Sequence, residues 1–112
     1  MNTFHTNLQN RWVRFSIIEQ LANIGSEFGR MVPFYKGKDT GRFEEALARL
    51  LELFEFTLAD PRWQYPRKRE VARLKENILT LFYSSISEEE RDGSFRSIDQ
   101  QFLYYGIAAR NR

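Results

Sequence analysis

The chain has 112 residues, with 17 Lys+Arg against 15 Asp+Glu, a formal charge of +2 and 42% hydrophobic residues. That composition fits one globular domain and excludes a polycationic tail or a purely acidic scaffold. It has no cysteine, which excludes disulfides, thiolate zinc sites and a cysteine nucleophile. Charges interrupt every apolar stretch well short of the ~20 residues a membrane span needs, and the first residues lack a basic-then-apolar secretion pattern. A cytoplasmic protein with no membrane contact is the expectation.

The apolar spacing is helical between three polar or Pro/Gly-marked breaks, at Gly37–Asp39, Asp60–Pro66 and Ser87–Gly93. A first helix is predicted over residues 7–35, with Ile17, Leu21, Ile24, Phe28, Met31 and Tyr35 along one seam. At 1.5 Å per residue it would be roughly 40 Å long and would overhang its shorter neighbours. Gly25 and Gly29 lie on one flank of that seam. A helical glycine costs about 1 kcal/mol against alanine, so both are expected where another helix comes close.

A second helix is predicted over residues 40–59, capped by Asp39 or Thr40, with Phe43, Leu47, Leu50, Leu51, Phe54 and Leu58 as its apolar arc. Asp60-Pro61 ends it, because the residue before a proline is pushed out of the helical region. Pro66 opens a third helix, residues 66–84, with Val71, Leu74, Ile78, Leu81 and Phe82 inward. Ser97-Ile98-Asp99-Gln100 reads as a capping box starting a fourth helix at residues 97–110. The fold expected is therefore all-α: one domain over residues 1–112, an up-down-up-down four-helix bundle. Residues 39–60 carry −4 and residues 61–83 carry +4, so the second and third helices should attract each other weakly.

Motifs for catalysis are scarce. His5 is the lone histidine and lies near a terminus, so a solvated residue is expected rather than a base or ligand. A di-iron bundle needs Glu-x-x-His pairs, and the chain has none. It also lacks a phosphate-binding Gly-x-x-x-x-Gly-Lys loop and a Gly-x-Ser-x-Gly elbow. Gly25-Ser26-Glu27-Phe28-Gly29 falls in mid-helix, where packing explains the glycines better. Glu44 and Glu45 diverge as helical neighbours, and Glu52, Glu55 and Glu88–Glu90 read as solvated acids. The expectation is a non-enzymatic protein with no cofactor and no metal site.

Two surfaces remain. Leu8, Trp12 and Phe15 recur at helical spacing but point away from the Leu21 seam, in the overhanging part of the first helix. Phe56 falls outside the arc of the second helix, and Tyr104 outside that of the fourth. Exposed aromatics mark interfaces, so Leu8, Trp12, Phe15 and Phe56 are predicted to form a homo-oligomer interface or to dock a protein partner. The second surface is the basic cluster Arg62, Lys68, Arg69 and Arg73 with Trp63 beside it. Phosphates bind such cations and bases stack on such rings, giving nucleic acid as the alternative partner. The competing reading makes the cluster a solvated face complementary to the acidic second helix.

The stretches Leu21-Ala-Asn-Ile-Gly-Ser-Glu-Phe-Gly-Arg30, Thr57-Leu-Ala-Asp-Pro-Arg-Trp63 and Ala108-Ala-Arg-Asn-Arg112 resemble a family of small uncharacterised prokaryotic helical proteins, over roughly residues 19–112. In size and architecture the chain is also similar to the helical bundles of the intervening-sequence and retroelement-accessory type. Those resemblances imply a four-helix fold, oligomerisation and a basic surface, and no enzymatic activity.

Overall fold

The computed structural model describes residues 9–110. Four long helices follow a short helical segment over residues 9–12: α1 (Ile17–Lys36), α2 (Thr40–Ala59), α3 (Arg67–Tyr83) and α4 (Glu88–Arg110). No strand occurs among the described residues. The second and third helices start and end within a residue of the predicted positions. The first and fourth do not.

The predicted long first helix is broken. Val13–Phe15 form a turn, and α1 starts anew with Ser16 as N-cap. Ser16 Oγ accepts from the Glu19 amide at 3.1 Å, and the Ser16 amide donates to the Glu19 carboxylate at 2.9 Å. This reciprocal pair satisfies two amides of the first turn and favours starting a helix here over continuing one. There is consequently no overhang.

The fourth helix starts nine residues earlier than the Ser97 motif indicates, at Glu88. Ser87 Oγ accepts from the Glu90 amide at 3.1 Å and binds the Glu90 carboxylate at 3.2 Å, so the cap is Ser87-x-x-Glu90. Extending the helix across Gly93 places Phe95 in the core, where it is 3% exposed. Its ring lies 6.2 Å from Phe28 and 5.5 Å from Phe82. Burying such a ring offsets the cost of a glycine within the helix.

α1 packs along both α2 and α4, and α2 also contacts α3. Leu21, Ile24, Phe28, Leu47, Leu50, Phe54, Leu74, Ile78, Leu81, Ile98 and Phe102 all lie in one core, as the seam predicts. Tyr35, Phe43, Phe82 and Phe95 close one end of it, with ring centroids 5.0–6.1 Å apart. At Gly25 a Cβ would come within 2.6 Å of Phe102 Cβ and Cγ, so α1 and α4 approach closely there. Gly29 has open space around it, contrary to the expectation of a helix neighbour. The close approach is confined to one turn of α1.

Candidate functional site

Trp12 of the predicted interface and Arg62 and Trp63 of the predicted polyanion cluster come together around Asp60. Trp12 is 4% exposed, and its Nε1–H donates to Thr57 Oγ1 at 2.9 Å. The break at Val13–Phe15 turns the ring inward, so Trp12 belongs to the protein's own core and offers no surface to a partner. Phe15 packs edge-on against Trp12 at 5.7 Å and keeps 37% of its surface exposed. Phe56 is half-buried against the core. Leu8 lies outside the described residues.

Arg62 and Trp63 hold this turn in place. The Arg62 guanidinium grips the buried Asp60 carboxylate, with Nη2 at 2.6 Å from Oδ2 and Nε at 3.0 Å from Oδ1. The same Nη2 donates to the carbonyls of Phe15 at 2.7 Å and Val13 at 3.1 Å. Gln20 completes the arrangement, donating to the Trp12 carbonyl and to Asp60, both at 3.0 Å, and accepting from Trp63 Nε1–H at 3.4 Å. Carbonyls left free where the 9–12 helix ends therefore find side-chain donors. The Arg62 hydrogen bond, aided by the Arg62 amide and Gln20 against the cost of burial, lowers the Asp60 pKa to about 2. Trp63 is 6% exposed. The Arg62 and Trp63 side chains are thus committed to this latch, and Trp63 presents no ring on which a base could stack.

The rest of the basic cluster is outward. Lys68, Arg69 and Arg73 are exposed on α3, and none is ion-paired among the described residues. The expected neutralisation by the acidic second helix does not reach them. Arg49 of α2 instead lies 3.6 Å from Glu27 of α1, and Arg42 stays with Asp39, the cap of its own helix. Tyr65, just before α3, is 74% exposed.

A surface that the spacing identified only through Tyr104 lies on α4. Leu103, Tyr104 and Ile107 are 58%, 81% and 45% exposed. They sit within residues 100–109, a stretch with no charged residue. Leu103 and Ile107 lie within the predicted fourth helix as well, but an aliphatic residue in a helix reads as core until the buried face is known.

Two larger hollows are lined in part by side chains that already have partners within the protein. A groove of about 630 Å³ between α1 and α2 is crossed by buried Glu27, 3.2 Å from Arg30 and 3.6 Å from Arg49. A cleft of about 700 Å³ lies at the aromatic end. There Lys36 pairs with Asp92 at 3.3 Å, and Arg91 donates to the Leu81 and Ser84 carbonyls at 3.2 and 2.8 Å. Among the described residues no group of three His, Asp or Glu side chains could hold a metal ion, and no helix is long and apolar enough to cross a membrane.

The fold and these surfaces define an all-helical protein. No protein-family model, curated protein or solved structure matches the chain.

Proposed function

We propose that this chain is a non-enzymatic, cytoplasmic helical-bundle protein that acts through contact with other protein, by self-association or by docking a partner. The observation that carries this reading is the exposed Leu103–Tyr104–Ile107 face on α4. Contiguous apolar side chains in a charge-free stretch match the composition of interface centres. The helices are taken as running up-down-up-down. The support is that Gln20 meets Asp60 and Tyr35 meets Phe43, while Phe28 meets Phe102 and Tyr35 meets Phe95.

Sedimentation of the full chain over a range of concentrations tests self-association. The mass is expected to rise above 13.4 kDa. The triple variant L103A/Y104A/I107A is expected to remain at the monomer mass with unchanged helicity. A wild-type chain that stays monomeric throughout contradicts self-association.

A second reading, a nucleic-acid-binding accessory role for α3, is favoured by one observation. Lys68, Arg69 and Arg73 are exposed without an ion-pair partner among the described residues. Generic DNA and RNA would then bind with a steep loss of affinity on adding salt, and R69E/R73E would abolish the binding. Retained binding in that variant contradicts this reading.

A further inference from the structure

Among the described residues, the groove of about 630 Å³ between α1 and α2 has an aromatic end and a charged end. Trp12 and Phe15 line the first, and Phe15 keeps 37% of its surface exposed. At the second, the Glu27 carboxylate bridges the two helices. Its side chain is only 9% exposed, and each oxygen meets a different arginine. Arg30 Nη1 donates to Oε2 at 3.2 Å, and Arg49 Nε lies 3.6 Å from Oε1. The Trp12 carbonyl is bonded to Gln20, two turns of α1 before Glu27, so the two ends are about 10 Å apart.

We propose that this groove binds a small organic acid, with its carboxylate on the Arg30–Arg49 pair and an aromatic-ended body against Phe15 and Trp12. The inference is independent of the protein-contact reading, which concerns α4. Two guanidiniums share one carboxylate, each carries several N–H donors, and both side chains stay largely exposed, at 70% and 63%. Donors beyond the Glu27 contact are therefore open to a ligand, and a second carboxylate fits their forked geometry. Because buried Glu27 already holds both arginines, less side-chain freedom is lost on binding. The lining sets Arg11, Arg30 and Arg49 against Glu27 and Glu52, a formal excess of one positive charge. A carboxylate balances that excess, whereas a phosphate monoester, carrying up to about two negative charges, overshoots it. The volume lies within the roughly 300–1,000 Å³ of small-molecule sites, which combine apolar walls with a few placed polar groups in the same way.

The test is isothermal titration calorimetry of the full chain with three probes: 4-phenylbutyrate, its neutral amide and 3-phenylpropyl phosphate. The acid is expected to bind at least about tenfold more tightly than the amide, and more tightly than the phosphate. R49Q is expected to weaken the acid by about tenfold, and R49K to recover part of the loss, since it restores the charge without the fork. A merely structural role for Arg49 would move the thermal melt by circular dichroism and leave the preference for acid over amide unchanged. R11Q alters an exposed residue with no ion-pair partner among the described residues, so it reports even if R49Q fails to fold. It is expected to weaken the acid by about threefold. Equal affinity for acid and amide, tighter binding of the phosphate, or no binding at about 10 mM overturns the proposal. Unchanged affinity in a folded R49Q, or in R11Q, overturns it as well.

Discussion

The latch around Asp60 and the outer faces of α3 and α4 treat the same residue types in opposite ways. At the latch, two buried tryptophans and a half-exposed arginine each find a partner: Thr57 for Trp12, Gln20 for Trp63, Asp60 for Arg62. On the outer faces of α3 and α4, Arg69, Arg73, Leu103 and Tyr104 face water. Aromatic and basic residues clustered in sequence therefore do not define a binding surface until their neighbours are known. A buried aspartate two residues before Arg62 decides the matter at the latch, and nothing equivalent lies beside Arg69.

Substitutions should separate the two regions, beginning with the latch. Asp60→Ala leaves the half-exposed Arg62 guanidinium and the buried Gln20 amide without their carboxylate, and should cost about 2–3 kcal/mol in urea denaturation. Trp12→Phe removes the indole donor to Thr57 together with part of a buried ring, and should cost roughly 1–3 kcal/mol.

Acid should weaken the latch. The folded pKa of Asp60 is about 2, below its ordinary 3.8, so the unfolded chain takes up the proton first as pH falls. The stabilisation is complete above about pH 4 and is lost as pH drops towards 2, a change of roughly 2 kcal/mol. Thermal melts across that window check it, and Asp60→Asn should flatten this part of the profile.

Smaller effects are expected along α1. Gly25→Ala drives a methyl into Phe102 and should destabilise by about 1–3 kcal/mol. Gly29→Ala meets open space and should stabilise by up to about 1 kcal/mol, since the helix interior favours alanine. Equal effects at the two positions would contradict the one-turn contact between α1 and α4.

These particulars show how much was legible in the sequence. Leu21, Phe28, Leu50, Ile78 and Phe102 announce the core, because 3.6-residue periodicity depends only on which face is buried. Helix ends were less legible. Four Ser-x-x-Glu/Gln motifs occur, at Ser16, Ser85, Ser87 and Ser97. Local hydrogen-bonding capacity does not rank them. Ser16 and Ser87 cap helices, whereas Ser97 lies within α4, whose extension towards Ser87 buries Phe95. The broken first helix then reversed the reading of Trp12. A ring that points away from the seam on a straight helix points into the core once Val13–Phe15 turn the chain. Gln20 and Asp60 were missed for a related reason. Their pairing spans forty residues of sequence, and no local pattern signals it.

The most direct test of the contrast between the latch and the exposed face of α4 is heteronuclear NMR of the full chain at increasing concentration. The two indole N–H signals report on the latch, and the amides of residues 100–107 report on α4. Raising the protein from about 20 μM to about 1 mM spans the range of a weak self-association. The α4 amides should then move progressively while the Trp12 and Trp63 indole signals stay fixed. Indole signals that shift while the α4 amides remain unchanged would contradict the account and return the interface to the N-terminal segment.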